Sequence, residues 1–205
     1  MRVVRCAVEG ITDEPVAAKL LDYAGLMSHQ SLNAGGKSKL DSKLPGLNRA
    51  AKIESPWLVL RDLDHDDVGK CVPRLRSDLL QGQTNTGMCF RIAVRTMETW
   101  LLADYENCSR FFGVPLNRMP PHVETLPDPK QALVELCRKS SRTAIRKGMV
   151  PRAGGRRKVG GEYTALVREF ARDEWDPSLA RNNSPSLDRA MRCLERLRSS
   201  IIDSA

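Results

Sequence analysis

The chain has 205 residues, 41% apolar and 28% charged, and its 33 Lys and Arg against 25 Asp and Glu give a net charge of +8. That composition excludes disordered, collagen-like and fibrous classes, and no run approaches the ~18 to 20 apolar residues of a membrane helix. The charge has an address: Arg138 to Gly161 carries nine basic residues and no acid, which leaves the rest of the chain near neutral.

Val3 to Val8 is short and rich in β-branched residues, a buried strand too brief for a signal peptide's apolar core. Thr12-Asp13-Glu14-Pro15 then opens a helix to about Tyr23, with acids and a proline in its first turn. Leu26 to Ala34 reads as a second short strand, and Gly35-Gly36 breaks it before a polar helix over 37–51. Trp57 to Leu60 is the next strand, and Asp66 or Asp67 caps a helix running to Leu80. Met88 to Val94 is another strand, and Thr96 opens a half-buried helix over 97–104. Strands alternating with helices predict a mostly parallel sheet covered on both faces.

Five prolines between Pro115 and Pro129 mark the end of an α/β domain over 1–114, with 115–127 as a connection. The remainder, 128–205, reads as a helical basic region packing on it. Its first helix starts at Asp128-Pro129-Lys130-Gln131 and reaches Arg146, which puts Arg138, Arg142 and Arg146 on one stripe. Pro151 to Gly161 must be an exposed loop, and helices follow over 161–173 and 186–202. The stripe together with Arg152, Arg156, Arg157 and Lys158 predicts a sequence-independent contact with the phosphates of DNA or RNA, the competing reading being a docking surface for an acidic protein.

Three acids fall where ligands bind in a parallel sheet, beyond the carboxyl ends of strands: Glu9 after the first, Asp62 and Asp64 after the Trp57 strand. A two-residue spacing in extended chain puts both aspartates on one face. Such carboxylates repel one another unless a cation neutralises them, and oxygen ligands suit Mg²⁺ or Mn²⁺. The plain alternative is that acids after strands cap the next helix. Gly35-Gly36-Lys37-Ser38 is not a phosphate loop, because position 31 is Ser31 rather than glycine. His29, His65 and His122 are scattered, and the six cysteines form no CxxC pair, so reduced, mostly buried thiols are expected in a cytoplasmic protein. Trp100 and Trp175 read as core or interface residues.

The stretch Val8-Glu9-Gly10-Ile11-Thr12-Asp13-Glu14, followed by Leu60-Arg61-Asp62-Leu63-Asp64, resembles the VEGxTDE opening and the later DxD of TOPRIM domains, particularly those of OLD-family nucleases. Gly35-Gly36-Lys37, Arg95 to Asp104 and Ser184-Pro185-Ser186-Leu187 are similar to a small bacterial TOPRIM-like family, so the resemblance spans nearly the whole chain. It implies a TOPRIM-like (Rossmann-like) α/β fold with a helical C-terminal region. Asp62 and Asp64 would be metal ligands and Glu9 a further ligand or the general acid/base. Glu98, and more weakly Asp104, would complete a second metal site; Asp13, Lys37, Arg61 and His65 are candidate accessory groups. The implied activity is Mg²⁺- or Mn²⁺-dependent phosphodiester hydrolysis of DNA or RNA, in phage defence or DNA repair, beside an AAA or SMC-like ATPase partner. The alternative is a non-catalytic subunit that binds nucleic acid or regulates that ATPase. Tyr23, Tyr105 and Tyr163 lack the context of a strand-passing enzyme's tyrosine.

Overall fold

The computed structural model describes residues 3–28, 31–64 and 72–204. His29, His65, Asp66, Asp67 and Cys71 lie outside the described residues, and with them the expected cap at Asp67 and the accessory role of His65.

Each apolar run singled out in the α/β half becomes a strand: β1 (Val3–Val8), β2 (Met27–Ser28), β3 (Leu32–Asn33), β4 (Trp57–Asp62) and β5 (Met88–Ala93). The stretch expected to be one strand over 26–34 is two short pieces. Both pair in parallel with β1, one at each end, through Val3 with Met27 and Ala7 with Leu32. The order from that edge is β2/β3, β1, β4, β5, all parallel, so that β5 is the opposite edge.

Strand alternation sorts the side chains onto two faces. Val4, Cys6, Val8, Leu58, Leu60, Cys89 and Ala93 belong to one apolar cluster, and Ala7, Val59, Phe90 and Ile92 to the other. The second face is covered by α2 (Lys37–Ala50) and α3 (Val72–Leu80) through Leu40, Leu44, Leu75 and Leu80. The first is covered by α1 (Glu14–Tyr23), α4 (Met97–Leu102) and the C-terminal helices. All six residues of α4 are buried, a correction to the half-buried helix its apolar spacing predicts: it is enclosed between the sheet and the helices that follow.

Those helices are α5 (Tyr105–Phe112), α6 (Pro129–Arg138), α7 (Thr143–Met149), α8 (Tyr163–Glu169), α9 (Pro177–Ala180) and α10 (Pro185–Asp203), with a π-helical turn, Phe170–Glu174, after α8. The helix expected to run unbroken to Arg146 ends at Arg138, because two serines offer its backbone other partners. Ser140 Oγ donates to the Phe112 carbonyl at 2.6 Å and accepts from the Arg142 N–H, while the Ser141 N–H donates to Gly113 O at 2.8 Å. Trp100 and Trp175 lie fully buried at the join between the sheet and the C-terminal helices. Trp100 Nε1 donates to Ser186 Oγ at 2.8 Å, and Trp175 Nε1 to the Trp100 carbonyl at 3.1 Å. Ser184 Oγ and the Ser186 N–H both donate to Glu124, which binds the start of α10 to the Pro-rich stretch. Cys6, Cys89, Cys108 and Cys137 are buried free thiols and Cys193 is half-buried. Among the described residues no helix is long and apolar enough to cross a membrane.

Candidate functional site

The carboxyl ends of β1 and β4 open onto a cleft of about 450 Å³ lined by Glu9, Asp13, Asn33, Asp62, Glu98 and Lys130, together with residues 10–12 and 35–36. Strand alternation explains who arrives there. Asp62 follows Leu60 on the face covered by α1 and α4, and these helices bring Asp13 and Glu98 to it. Arg61, one residue earlier, points to the other face and is only 3% exposed. Its Nε and Nη2 grip both oxygens of Asp41 on α2 at 2.8 and 3.1 Å, and Nη1 donates to the Asp62 carbonyl at 2.8 Å. Arg61 is thus committed to clamping α2 onto β4.

Asp64 does not share the face of Asp62. The strand ends at Asp62, and Asp64 sits in a turn with φ of 54°, a conformation aspartate tolerates better than most residues, where it pairs with Lys37 at 3.2 Å. The alternation that predicts a common face stops two residues short. Asp64 still lies within electrostatic reach of Glu9 and Asp62 and raises the pKa of both.

Glu9 accepts the Asp62 N–H at 2.9 Å, which fixes its carboxylate at the mouth of the cleft. Burial pushes its pKa up to about 7, with that hydrogen bond opposing and Asp64 and Asp13 adding to the rise. Asp13 holds the N-cap position of α1, but its side chain makes no capping bond. It turns back to accept the Gly10 N–H at 2.9 Å and the Thr12 hydroxyl at 3.2 Å, and burial raises its pKa to about 6. Asp62 is held well above the ordinary carboxylate range, first by burial and then by Asp13, Glu98 and Glu9. Its Oδ1 is buried without a hydrogen-bond donor.

Two further groups complete the cleft. Glu98, 4% exposed, accepts from the Tyr163 hydroxyl at 3.0 Å and pairs with Lys130 Nζ at 3.4 Å. Lys130 also lies 5.8 Å from the Tyr163 ring centroid, and Glu98 raises its pKa. By sequence, Lys130 and Tyr163 are ordinary residues of helix starts. A lysine in a helix's first turn opposes the helix dipole, and that was the available signal. Asp104 belongs elsewhere, its carboxylate capping α5 and taking donors from Asn107 and the Asp176 N–H.

Among the described residues, no three His, Cys, Asp or Glu side chains converge closely enough to hold a metal ion as they stand. The donor chemistry nevertheless fits a hard divalent cation: the acids are all carboxylates, they repel one another, and one buried oxygen has no donor.

The basic segment runs into α8, whose first residue, Tyr163, bonds Glu98. Gly160 donates to the Met149 carbonyl at 2.9 Å and Glu162 to Gly148 at 3.0 Å, so residues 150–159 form a loop closed at its neck. Gly148 and Gly160 permit the close approach: a Cβ on Gly160 would overlap the backbone of Gly148 and Met149. Arg152, Arg156, Arg157 and Lys158 are exposed on that loop, and Tyr163 follows directly. Lys158 is five residues from Tyr163 and therefore within ~18 Å of it. The stripe of Arg138, Arg142 and Arg146 does not exist, because the helix breaks. Arg138 pairs with Glu135 at 2.9 Å, Arg142 donates to the Phe111 carbonyl at 2.7 Å, and Arg146 donates to the Ser140 carbonyl.

No protein-family model and no curated protein matches this chain. Among solved structures, it is similar to the C-terminal region of the Burkholderia pseudomallei OLD protein, at 16% identity and a TM-score of 0.46, over 98% of this chain and 99% of that one.

Proposed function

We propose that this cleft is the site of a Mg²⁺- or Mn²⁺-dependent phosphodiesterase that acts on nucleic acid. The observation that carries the reading is the buried, donorless Asp62 Oδ1 among the carboxylates of Glu9, Asp13 and Glu98, at the carboxyl edge of a parallel sheet. Glu9 and Asp62 would hold the ion, with Asp13 and Glu98 beside them and Asp64 at the rim. When bound, a divalent cation supplies Lewis acidity toward a phosphoryl oxygen and makes its water acidic enough to attack near neutral pH. The remaining tasks fall to the chain itself. The Asp62 amide orients Glu9, and Lys130, half-exposed on the open side, can meet a phosphate oxygen. The closed basic loop grips the flanking backbone, which offsets the repulsion between an acidic cleft and a polyanion. The resemblance of the Glu9 and Asp62 segments to TOPRIM domains of OLD-type nucleases agrees with this class and with an ATPase partner.

Asp62→Asn and Glu9→Gln should each lower Mn²⁺-dependent cleavage of plasmid, single-stranded DNA or RNA by at least 100-fold with the fold intact. If wild-type protein cleaves none of these, alone or with an AAA or SMC-like ATPase encoded beside it, the reading fails. One observation favours the non-catalytic alternative: Lys37 and Lys130 already neutralise Asp64 and Glu98. An absence of any Mn²⁺-dependent shift in thermal stability would decide for that alternative.

A further inference from the structure

The free edge of the sheet, beginning beside the cleft, carries a second group of cations that no carboxylate among the described residues pairs with. β5 is the edge strand, and α10 runs antiparallel along it: the Val94 N–H at the strand's carboxyl end donates to Ser186 Oγ at 3.3 Å, and Cys89 near its start lies beside Cys193. Arg91 lies between these points, on the same face as Cys89 and Ala93. Arg76 from α3 and Arg189 from α10 stand close enough to repel it, and Arg196 joins Arg76 and Arg91 around Cys193.

Among the described residues, none of these four arginines makes an ion pair, and the Nε atoms of Arg76 and Arg91 are buried with no acceptor. Their neighbours differ: Arg192 takes Asp188 at 2.8 Å, and Arg181 takes Asp188 and Glu195. Acids on α10 are therefore available and are spent elsewhere. Buried guanidinium donors without acceptors are costly, and gathering like charges adds to that cost unless an anion joins them.

We propose that Arg76, Arg91, Arg189 and Arg196 form a track for the phosphate backbone of a nucleic-acid strand along the free edge of β5. Its extent favours a polymer over a single anion. Arg189 and Arg196 are seven residues apart on one helix, ~10 Å, which spans about three charges at ~3.4 Å of axis each. The track starts beside the cleft, since Asp62 pairs with Ala93 and Arg91 lies two residues, ~7 Å, further along β5. A strand bound at the cleft would leave along this row. The choice of nucleic acid rests on the function proposed above.

Cys193 reports directly on occupancy. Its thiol is pushed down from the usual cysteine range by the neighbouring Cys89 thiol and by Arg91, Arg196 and Arg76, against burial. A phosphate among those arginines withdraws their charge from the sulfur and covers it. The experiment is the rate of iodoacetamide alkylation at the Cys193 peptide of the full chain, followed by mass spectrometry in EDTA, where metal-dependent cleavage is silent and cannot affect the result. A 12-nucleotide single strand should slow that rate at least threefold relative to NaCl of equal ionic strength. Arg189→Gln with Arg196→Gln, both at exposed positions, should remove the protection, judged against that variant's own rate without ligand, and weaken oligonucleotide binding at least fivefold. An unchanged Cys193 rate with the oligonucleotide overturns the track. Equal protection by inorganic phosphate at the same phosphate concentration also overturns it, in favour of a small-anion site.

Discussion

Replacing Glu9 with glutamine should stabilise the chain at alkaline pH and leave it unchanged in acid. The Glu9 pKa rises from 4.5 to about 7 on folding, and each unit is worth ~1.4 kcal/mol, so ionising Glu9 in the folded state costs roughly 3 kcal/mol. The sign follows from which state holds the proton more tightly. The folded chain does, so the stability tied to Glu9 is fully present below the unfolded value of 4.5 and is lost as pH rises through about 7. Glutamine keeps the oxygen that accepts the Asp62 amide and removes the charge. Urea denaturation in EDTA should therefore find Glu9→Gln more stable by up to roughly 3 kcal/mol at pH 8, and within a few tenths at pH 4. For a chain of this length that corresponds to up to ~6 to 12 °C in Tm. Mn²⁺ at pH 8 should narrow the gap, because an ion that binds the acids stabilises the wild type more. A variant no more stable than wild type at pH 8, or a gap of equal size at both pH values, would refute the claim that this carboxylate is held ionised against burial and its neighbours.

Arg61→Gln should cost about 3 to 5 kcal/mol in urea denaturation, since it breaks a bidentate pair on a buried guanidinium and frees α2 from β4; a loss below ~1 kcal/mol would mean the clamp is dispensable. Tyr163→Phe removes the hydroxyl on Glu98, and a loss of ~1 kcal/mol is expected. The same variant should weaken oligonucleotide binding in EDTA although no charge changes, because α8, into which the basic loop runs, loses its tie to Glu98. Neutralising Arg156, Arg157 and Lys158 together should lower the slope of log affinity against log salt by ~2 to 3 without moving Tm. An unchanged slope would take the loop out of the interface.

Glu9 and Asp62 could be read from the chain because a short apolar run ending in an acid is the whole signal, and a parallel sheet sends such residues to one edge. Arg61 could have been assigned by the same logic: in alternation it must face away from Asp62. Asp64 could not, since its place depends on a left-handed turn that only the folded backbone reveals. The break between α6 and α7 turned on Ser140 and Ser141, whose preference for local backbone partners competes with helix, yet their partners at Phe112 and Gly113 lie nearly thirty residues earlier. Lys130 and Tyr163 joined the site for the same reason. Each is local in sequence to a helix start and is brought to Glu98 by the packing of α6 and α8 around α4.

The two buried tryptophans have a consequence for how the chain is made. Trp100 takes its partner from Ser186, and the face of the sheet formed by Leu58, Leu60 and Cys89 is sealed by α10. On the ribosome, every strand has emerged long before that helix exists. At ~5 to 20 residues per second the gap between β5 and α10 lasts several seconds or more, during which the part of that face α10 covers is available to chaperones or to other nascent chains. A chain ended anywhere before Ser186 would leave the part of that face under α10 uncovered and Trp100 Nε1 without its partner.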